Sequence, residues 1–535
     1  MNKKYKYSIL LFFLWAQVVA SQAKKPSDSP NILFVFSDDH AWQSIGAYGG
    51  RLKEVAHTPH IDKLASEGML FRKCFVANAL CGPSRAAILT GKYGHRNGVT
   101  WNRNTNFDGS QQTFPKMLRK NGYQTAIIGK WHLASVPTGF DYFDVMKGQG
   151  RYYNPFLQRG NAEGLQDTRT VVGYNSDIVG DLTIEWLKNG RDKSKPFMLM
   201  SQFKATHHGF CPGPEEYDLY DDVHIPEPDN LFDDFSYRGT AIREQTLTLY
   251  KNLSHGILVG DPGELGKLNP KQRKAWNAYR SKFSKPFQAM NLNWNDQNRE
   301  LSRFKYQALL KNFLAAGAGI DKNVGRIRAF LQENDLADNT IVIYMADHGF
   351  FLGEHGFFDK RFMYEESFRT AFIVHWPGQV EAGVVNDQDI VSNIDIASTF
   401  LDIAGIEIPQ EIQGKSMVPV LQGKTPDNWR KTFLYTYHEL ANHNVQPHFG
   451  VTDGRNKLIY YPKYNEWEFF DLKKDPQEMI SQYFIPENKT VITKLKKELV
   501  RLRNQYYCPP IITLRNMNKK ASWDYEKRLM PLGVK

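Results

Sequence analysis

Four segments of the chain are almost continuously apolar, and each breaks off in charged residues. NILFVFS (31–37) runs into Asp38, Asp39 and His40; YQTAIIG (123–129) into Lys130, Trp131 and His132; PFMLMSQF (196–203) into Lys204 and then His207 and His208; TIVIYMA (340–346) into Asp347 and His348. Runs of this length, rich in β formers, predict strands buried on both faces. Between them apolar positions recur with helical period, as in TPHIDKLASEG (58–68), where Thr58 and Pro59 are start signals, and in IDKNVGRIRAFLQEND (320–335). Alternating strands and helices predict an α/β fold, a mostly parallel sheet flanked by helices. Ligands of such sheets bind beyond the carboxyl ends of the strands, where the four polar clusters would converge.

Past residue 425 the pattern changes. KLIYYP (457–462) and EWEFFDL (466–472) predict short antiparallel strands, and VITKLKKELVRLRNQ (491–505) a surface helix, together a smaller C-terminal α+β subdomain over 426–535. At the other end, Lys3, Lys4 and Lys6 precede an apolar run from Ile9 to Ala20 and small residues ending ASQA, the pattern of a cleavable signal peptide over 1–23. That run is too short to span a bilayer comfortably. The mature chain is therefore expected to be exported, periplasmic or secreted, without a membrane anchor.

The 535 residues are 41% hydrophobic and 23% charged, which excludes a disordered or fibrous chain. The formal charge is +11, and loss of the three leader lysines leaves +8, enough to attract a polyanion. The basic stretch KQRKAWNAYRSKF (271–283) reads as an amphipathic helix packing Trp276, Tyr279 and Phe283, no nucleic-acid module is present, and export argues against that partner. Cys74, Cys81, Cys211 and Cys508 are too few for a disulfide framework and form no CxxC; one pair remains open.

The stretch ALCGPSRAAILTG (79–91) puts Cys81 at a helix start: Pro83 suits a first turn, and Gly91 is a stop signal. A helix N-terminus lowers a thiol pKa, so a thiolate nucleophile competes with other uses of this cysteine. The same stretch resembles the first signature of type I sulfatases, and GYQTAIIGKWH (122–132) resembles their second. The likeness extends to Asp38-Asp39, ADHG (346–349), DKRFMYEESFRT (359–370) and EFFDLKKDPQE (468–478), nearly the whole mature chain.

This resemblance implies an alkaline-phosphatase-like sheet in a catalytic domain over 24–425. It implies that the CxPxR cysteine, Cys81, is oxidised by a formylglycine-generating enzyme to an aldehyde whose hydrate attacks sulfur and later expels sulfate as the aldehyde reforms. Asp38, Asp39, Asp347 and His348 match the family's calcium site, completed by an oxygen of modified Cys81; histidine is an unusual calcium ligand, and His348 is alternatively placed just outside that shell. By motif match Arg85 orients the hydrate, Lys130 and Lys360 clamp sulfate oxygens, His132 takes the proton of the diol, and His207 protonates the leaving alkoxide. His208 competes with His207, because the text here is KATHHGF, without the proline that often precedes this histidine.

The segments at 216–239 and 443–451 resemble insertions of bacterial sulfatases that act on polysaccharides and amino-sugar glycans, which makes His443 and His448 candidates for sugar contacts, and Asp359 and Arg361, flanking Lys360, are candidates to reach hydroxyls beside the sulfate. The expected substrate is a sulfated polysaccharide or oligosaccharide, an algal polymer such as ulvan or carrageenan first, with host glycosaminoglycan or mucin sugars such as N-acetylglucosamine-6-sulfate as the alternative. Rival functions are a phosphate or phosphonate ester hydrolase and an inactive sulfated-glycan-binding protein with Cys81 unmodified.

Overall fold

The computed structural model describes residues 29–102, 105–439 and 442–510; the expected leader at 1–23 lies outside them. The central sheet has ten strands, β1 (Asn31–Asp38), β2 (Met69–Phe71), β3 (Gln124–Lys130), β4 (Tyr142–Met146), β5 (Phe156–Asn161), β6 (Gly164–Thr170), β7 (Phe197–Thr206), β8 (Thr340–Ala346), β9 (Phe372–His375) and β10 (Val384–Asn386). Their spatial order is β10-β2-β9-β8-β1-β7-β3-β4-β5-β6. β8, β1, β7, β3 and β4 run parallel, and antiparallel β9 and β5 close this block on its two sides.

The apolar runs are continuous because both faces are covered. Leu33 and Val35 of β1 join the core beneath the helices Asn175–Glu185 and Arg299–Glu333. Ile32, Phe34 and Phe36 point the other way, to Cys81–Thr90, Phe114–Lys120 and Asp395–Ile403. The helix Arg299–Glu333 spans 35 residues, far more than the 320–335 stretch legible from periodicity. In its Ala315–Gly319 run a Cβ on Gly317 would lie 3.1 Å from His40 Nε2, so small residues here let the helix close on the end of β1.

The C-terminal strands β11 (Phe433–Tyr437), β12 (His448–Thr452), β13 (Asn456–Tyr461) and β14 (Glu466–Asp471) form an antiparallel sheet. The helix Lys489–Gln505 covers it with Ile492, Leu495, Leu499 and Leu502, a single apolar stripe. The basic stretch lies in the helix Pro270–Ala289 and buries Trp276, Tyr279 and Phe283, as its pattern predicts. All four cysteines are free thiols. Among the described residues no helix is long and apolar enough to cross a membrane.

Just before β11, the guanidinium of Arg430 pairs with both oxygens of Asp395, which also accepts the backbone N–H of Ser392 (2.9 Å) and of Lys415 (2.8 Å). Both side chains are buried. Removing one partner of such a pair strands the other charge, so Arg430→Ala is expected to cost about 3–5 kcal/mol. A lower urea midpoint at unchanged m would report it.

Candidate active site

Because β8, β1, β7 and β3 are parallel neighbours, their carboxyl ends lie side by side. β1 ends in Asp38, where its pairing with β7 slips so that Asp38 faces Thr206. Asp39 follows in the left-handed region at φ 62°. β3 ends in Lys130, preceded by Gly129 at φ 101°, where a Cβ would sit 1.9 Å from the carbonyl oxygen of Gln202; only glycine fits. β7 ends one residue before His207, and β8 one residue before Asp347. The helix Cys81–Thr90 points its first residue at these ends, and Gly91 at φ 64° terminates it.

The charged groups interlock. Lys130 Nζ pairs with Asp38 Oδ2 and donates to Gln149 Oε1 at 2.6 Å. Lys360 Nζ donates to both oxygens of Asp39, at 2.7 and 2.6 Å. Arg85 Nη2 lies 3.6 Å from Asp38 Oδ1 and 3.3 Å from Asp347 Oδ2, while its Nη1 donates to the carbonyl of Lys130 at 3.0 Å and to Gln202 Oε1. The Asp39 N–H donates to Asp347 Oδ1 at 3.0 Å. Ser84 Oγ holds the Asp347 carbonyl at 2.5 Å and is itself held by Asn393 at 2.9 Å.

Cys81 Sγ lies 3.8 Å from Asp39 Oδ1. Ligand atoms of Asp39, Cys81, Asp347 and His348 all lie within 4.8 Å of one another, and so do those of Asp38, Cys81 and His207. A ring nitrogen of His207 is thus beside Cys81, whereas His208 is half-buried with its ring against Phe210.

The aspartate oxygens fit a hard divalent cation, with an oxygen in place of the Cys81 sulfur. His348 Nδ1 faces the Gly349 carbonyl at 2.8 Å, so it carries the proton, and the bare Nε2 lone pair confronts Asp39 Oδ1 at 3.2 Å and Asp347 Oδ1 at 3.5 Å. Burial holds this histidine down to about 4, so it stays neutral. Three acceptors facing one another are reconciled by a positive ion among them. Asp38 Oδ1 and His348 Nε2 have no hydrogen-bond partner. Burial, and then the neighbouring Asp38, push the Asp347 carboxyl well above the usual range, the signature of a carboxylate short of positive charge. Burial also opposes ionisation of Asp38, but Lys130, His207 and Arg85 together hold it well below the carboxylate range.

The same surroundings dispose of the thiolate alternative. Burial, then Asp38, push the Cys81 thiol well above its ordinary pKa, outweighing the helix N-terminus. Without a cation in the site, an unmodified Cys81 stays a protonated thiol.

The family model described as Sulfatase matches residues 30–406. This chain belongs to the sulfatase family. As a sulfatase it is a sulfuric ester hydrolase. A second family model, N-sulphoglucosamine sulphohydrolase, C-terminal, matches residues 353–505. The chain is 41% identical over 517 residues to an N-acetylglucosamine-6-O-sulfatase of Bacteroides thetaiotaomicron, covering 92% of this chain and 90% of that one. It is 26% identical over 451 residues to the N-acetylglucosamine-6-sulfatase of Capra hircus, 80% of this chain and 70% of the other. A protein solved in complex with its substrate D-glucosamine-2-N,6-O-disulfate superposes with a TM-score of 0.82 at 39% identity, covering 90% of this chain and 98% of its own.

Beside the sulfatase centre lies a second polar cluster. Asp359 Oδ2 is 2.9 Å from Arg361 Nη1 and 3.1 Å from His443 Nε2, and Asp359 Oδ1 is 3.5 Å from Lys360 Nζ. Asp359, Arg361 and His443 all have positive φ, at 77°, 105° and 51°. Strained backbone of this kind persists where side chains must be aimed. Arg361 Nε has no hydrogen-bond partner.

His448, expected at the sugar, is elsewhere. It is 1% exposed, enclosed by the rings of Phe362, Tyr435, Tyr437 and Tyr461 at 5.1–5.7 Å, with Nδ1 facing the Gln446 carbonyl at 2.9 Å. It opens a strand buried on both faces. Burial holds it down to about 4. The unfolded chain binds this proton below about 6.5 and the folded one only near 4, so stability falls as pH drops through that window, by roughly 3 kcal/mol in all. Urea midpoints of His448→Phe should depend less on pH between 7 and 4 than those of wild type.

Sequence reasoning did not find Gln149, Gln202, Ser84 or Asn393 in this site. Gln202 is one polar residue inside an apolar strand, a local signal of a buried partner; Gln149 and Asn393 arrive from distant loops and carry no local signal.

Proposed function

We propose that this sulfatase removes the 6-O-sulfate of N-acetylglucosamine or glucosamine units in a glycosaminoglycan-type glycan, after export from the cytoplasm. The observation that carries this reading is the 41% identity to an N-acetylglucosamine-6-O-sulfatase across nine-tenths of both chains. It favours the amino-sugar alternative over the algal polysaccharide that stood first on sequence.

Asp38, Asp39, Asp347 and His348, with an oxygen at residue 81, would hold one calcium ion, whose charge would acidify the nucleophile and neutralise sulfate oxygens. Formylglycine, made from Cys81 by a maturation enzyme that reads CGPSR, supplies one hydroxyl to attack sulfur and a second whose deprotonation expels sulfate. Arg85, fixed by Asp347, Gln202 and the Lys130 carbonyl, orients residue 81. Lys130 and Lys360 are the ammonium groups beside it and take up charge on the sulfate oxygens. His132 is suited to accept a proton: burial and then Lys130 hold it well below its ordinary pKa, and its Nδ1 has no partner. His207 gives its proton to the sugar oxygen as the S–O bond breaks. Asp359 accepts a hydrogen bond from a sugar hydroxyl beside the sulfate, and Arg361 and His443 donate to its neighbours.

The test is sulfate release from defined sugars by the mature protein. N-acetylglucosamine-6-sulfate should exceed its galactose-configured epimer by about 100-fold or more in kcat/KM, because a site built on hydroxyl hydrogen bonds rejects a misplaced one. Preferred release from carrageenan or ulvan oligosaccharides would overturn the reading.

A further inference from the structure

His207 must keep one ring nitrogen turned into the site and the other held. Its Nδ1 faces outward, 3.3 Å from the carbonyl of His208 and 3.8 Å from Glu264 Oε2. Glu264 comes from the short helix Pro262–Leu265, remote in sequence and outside every motif that marks the family. Its placement is built. The backbone N–H groups of Tyr152 and Tyr153 donate to the carbonyls of Glu264 and Leu265 at 2.8 and 2.9 Å. Gly209, at φ 100°, makes room, since a Cβ there would come within 2.8 Å of Glu264 Cβ. The carboxylate is anchored by Lys204 Nζ at 2.6 Å, a fully buried ammonium that also donates to the Gln149 carbonyl at 3.2 Å and lies 5.0 Å from the centre of the Tyr152 ring. Gln149 Oε1 in turn holds Lys130. One chain of contacts therefore runs from Glu264 to the sulfate-binding lysine on one side and to His207 on the other.

We propose that Glu264 is a positioning residue for His207. Its carboxylate takes the Nδ1–H as the substrate complex closes, which fixes the ring and leaves Nε2–H aimed at the leaving oxygen. The S–O bond then breaks with its electron pair going to the sugar oxygen, the Nε2 proton moves to that oxygen, and Nδ1–H stays with Glu264. Hydrogen bonds of this kind are commonly long in the resting protein and tighten on the way to the transition state. Lys204, sharing the same oxygen, keeps Glu264 ionised: burial opposes the charge, but Lys204 outweighs it and holds the carboxyl far below its usual range, while burial and then Lys130 hold His207 itself below its ordinary pKa. The inference rests on the reading of His207 as proton donor.

The experiment compares Glu264→Gln with wild type on two leaving groups. The variant retains an oxygen for Lys204, so the buried ammonium keeps an acceptor. A sugar alkoxide needs its proton and 4-nitrophenolate does not. Turnover of N-acetylglucosamine-6-sulfate should fall about 10–100-fold, with less than about threefold change on 4-nitrophenyl sulfate, and Glu264→Asp should recover part of the loss. Equal losses on both esters would overturn the proposal. Histidine ring 15N spectra of the holoenzyme, with His207→Ala to assign the signal, give an answer independent of substrate: Glu264→Gln should shift the His207 Nδ1 resonance, and an unmoved resonance would overturn it. Failure to release sulfate from the sugar with the resonance shifted would instead condemn the substrate reading.

Discussion

A Cys81→Ala protein should fold, bind sulfated sugar and release sulfate at least about 10,000-fold more slowly than wild type, because residue 81 is the proposed covalent nucleophile and its loss would leave only binding and electrostatics. The substitution is structurally mild. Cys81 opens a helix in which alanine is the best helix former, and its thiol is buried without a strong partner, 3.8 Å from Asp39. Circular dichroism and the urea midpoint should stay near wild type. Turnover within about 100-fold of wild type would place the nucleophile elsewhere.

The second large effect is expected at Asp347. Asp347→Asn preserves shape and one acceptor oxygen while removing a charge from a site where Asp38 and Asp39 already crowd it. Without metal the variant should be more stable than wild type, because a buried carboxylate that burial and Asp38 drive toward protonation is replaced by a neutral amide. Turnover should nevertheless drop by roughly 100- to 1,000-fold, since the same charge would hold the proposed cation and pairs with Arg85. Calcium should raise the melting temperature of wild type, by mass action on a folded-state site, and that increment should shrink or vanish in the variant. Higher metal-free stability, lower activity and a lost calcium increment form one signature. A variant that is merely less stable, with the increment intact, would show Asp347 to be structural.

Both effects come from a region that was largely legible in the sequence, for a physical reason. A parallel strand buried on both faces writes a continuous apolar run, and a polar residue at its end has little reason to be there except chemistry, so Asp38, Lys130, His207 and Asp347 stand out. The parallel order β8-β1-β7-β3 then brings them together. What could not be read is whatever depends on approach between distant segments. The helix read over 320–335 extends to 35 residues, and Gly317 inside it is a point of contact with the end of β1. His448 looked like a sugar contact and is a neutral core residue, because a lone histidine in HFGVT gives no sign of the aromatic rings that enclose it. Glu264 lies in no motif read from the sequence, and only the fold brings it to His207. The thiolate reading of Cys81 failed for the same reason: helix position is local, while burial beside Asp38 is not.

The most direct test of the account is the mass of the tryptic peptide between Lys73 and Arg85, CFVANALCGPSR, from a preparation that turns over sulfate ester after co-production with a formylglycine-generating enzyme. Alkylation before digestion labels every remaining thiol, and Cys74 in the same peptide is the internal control. The account predicts one alkylated cysteine at 74 and an aldehyde at 81, which a hydrazide probe captures. Two alkylated cysteines in a preparation that is fully active would contradict it.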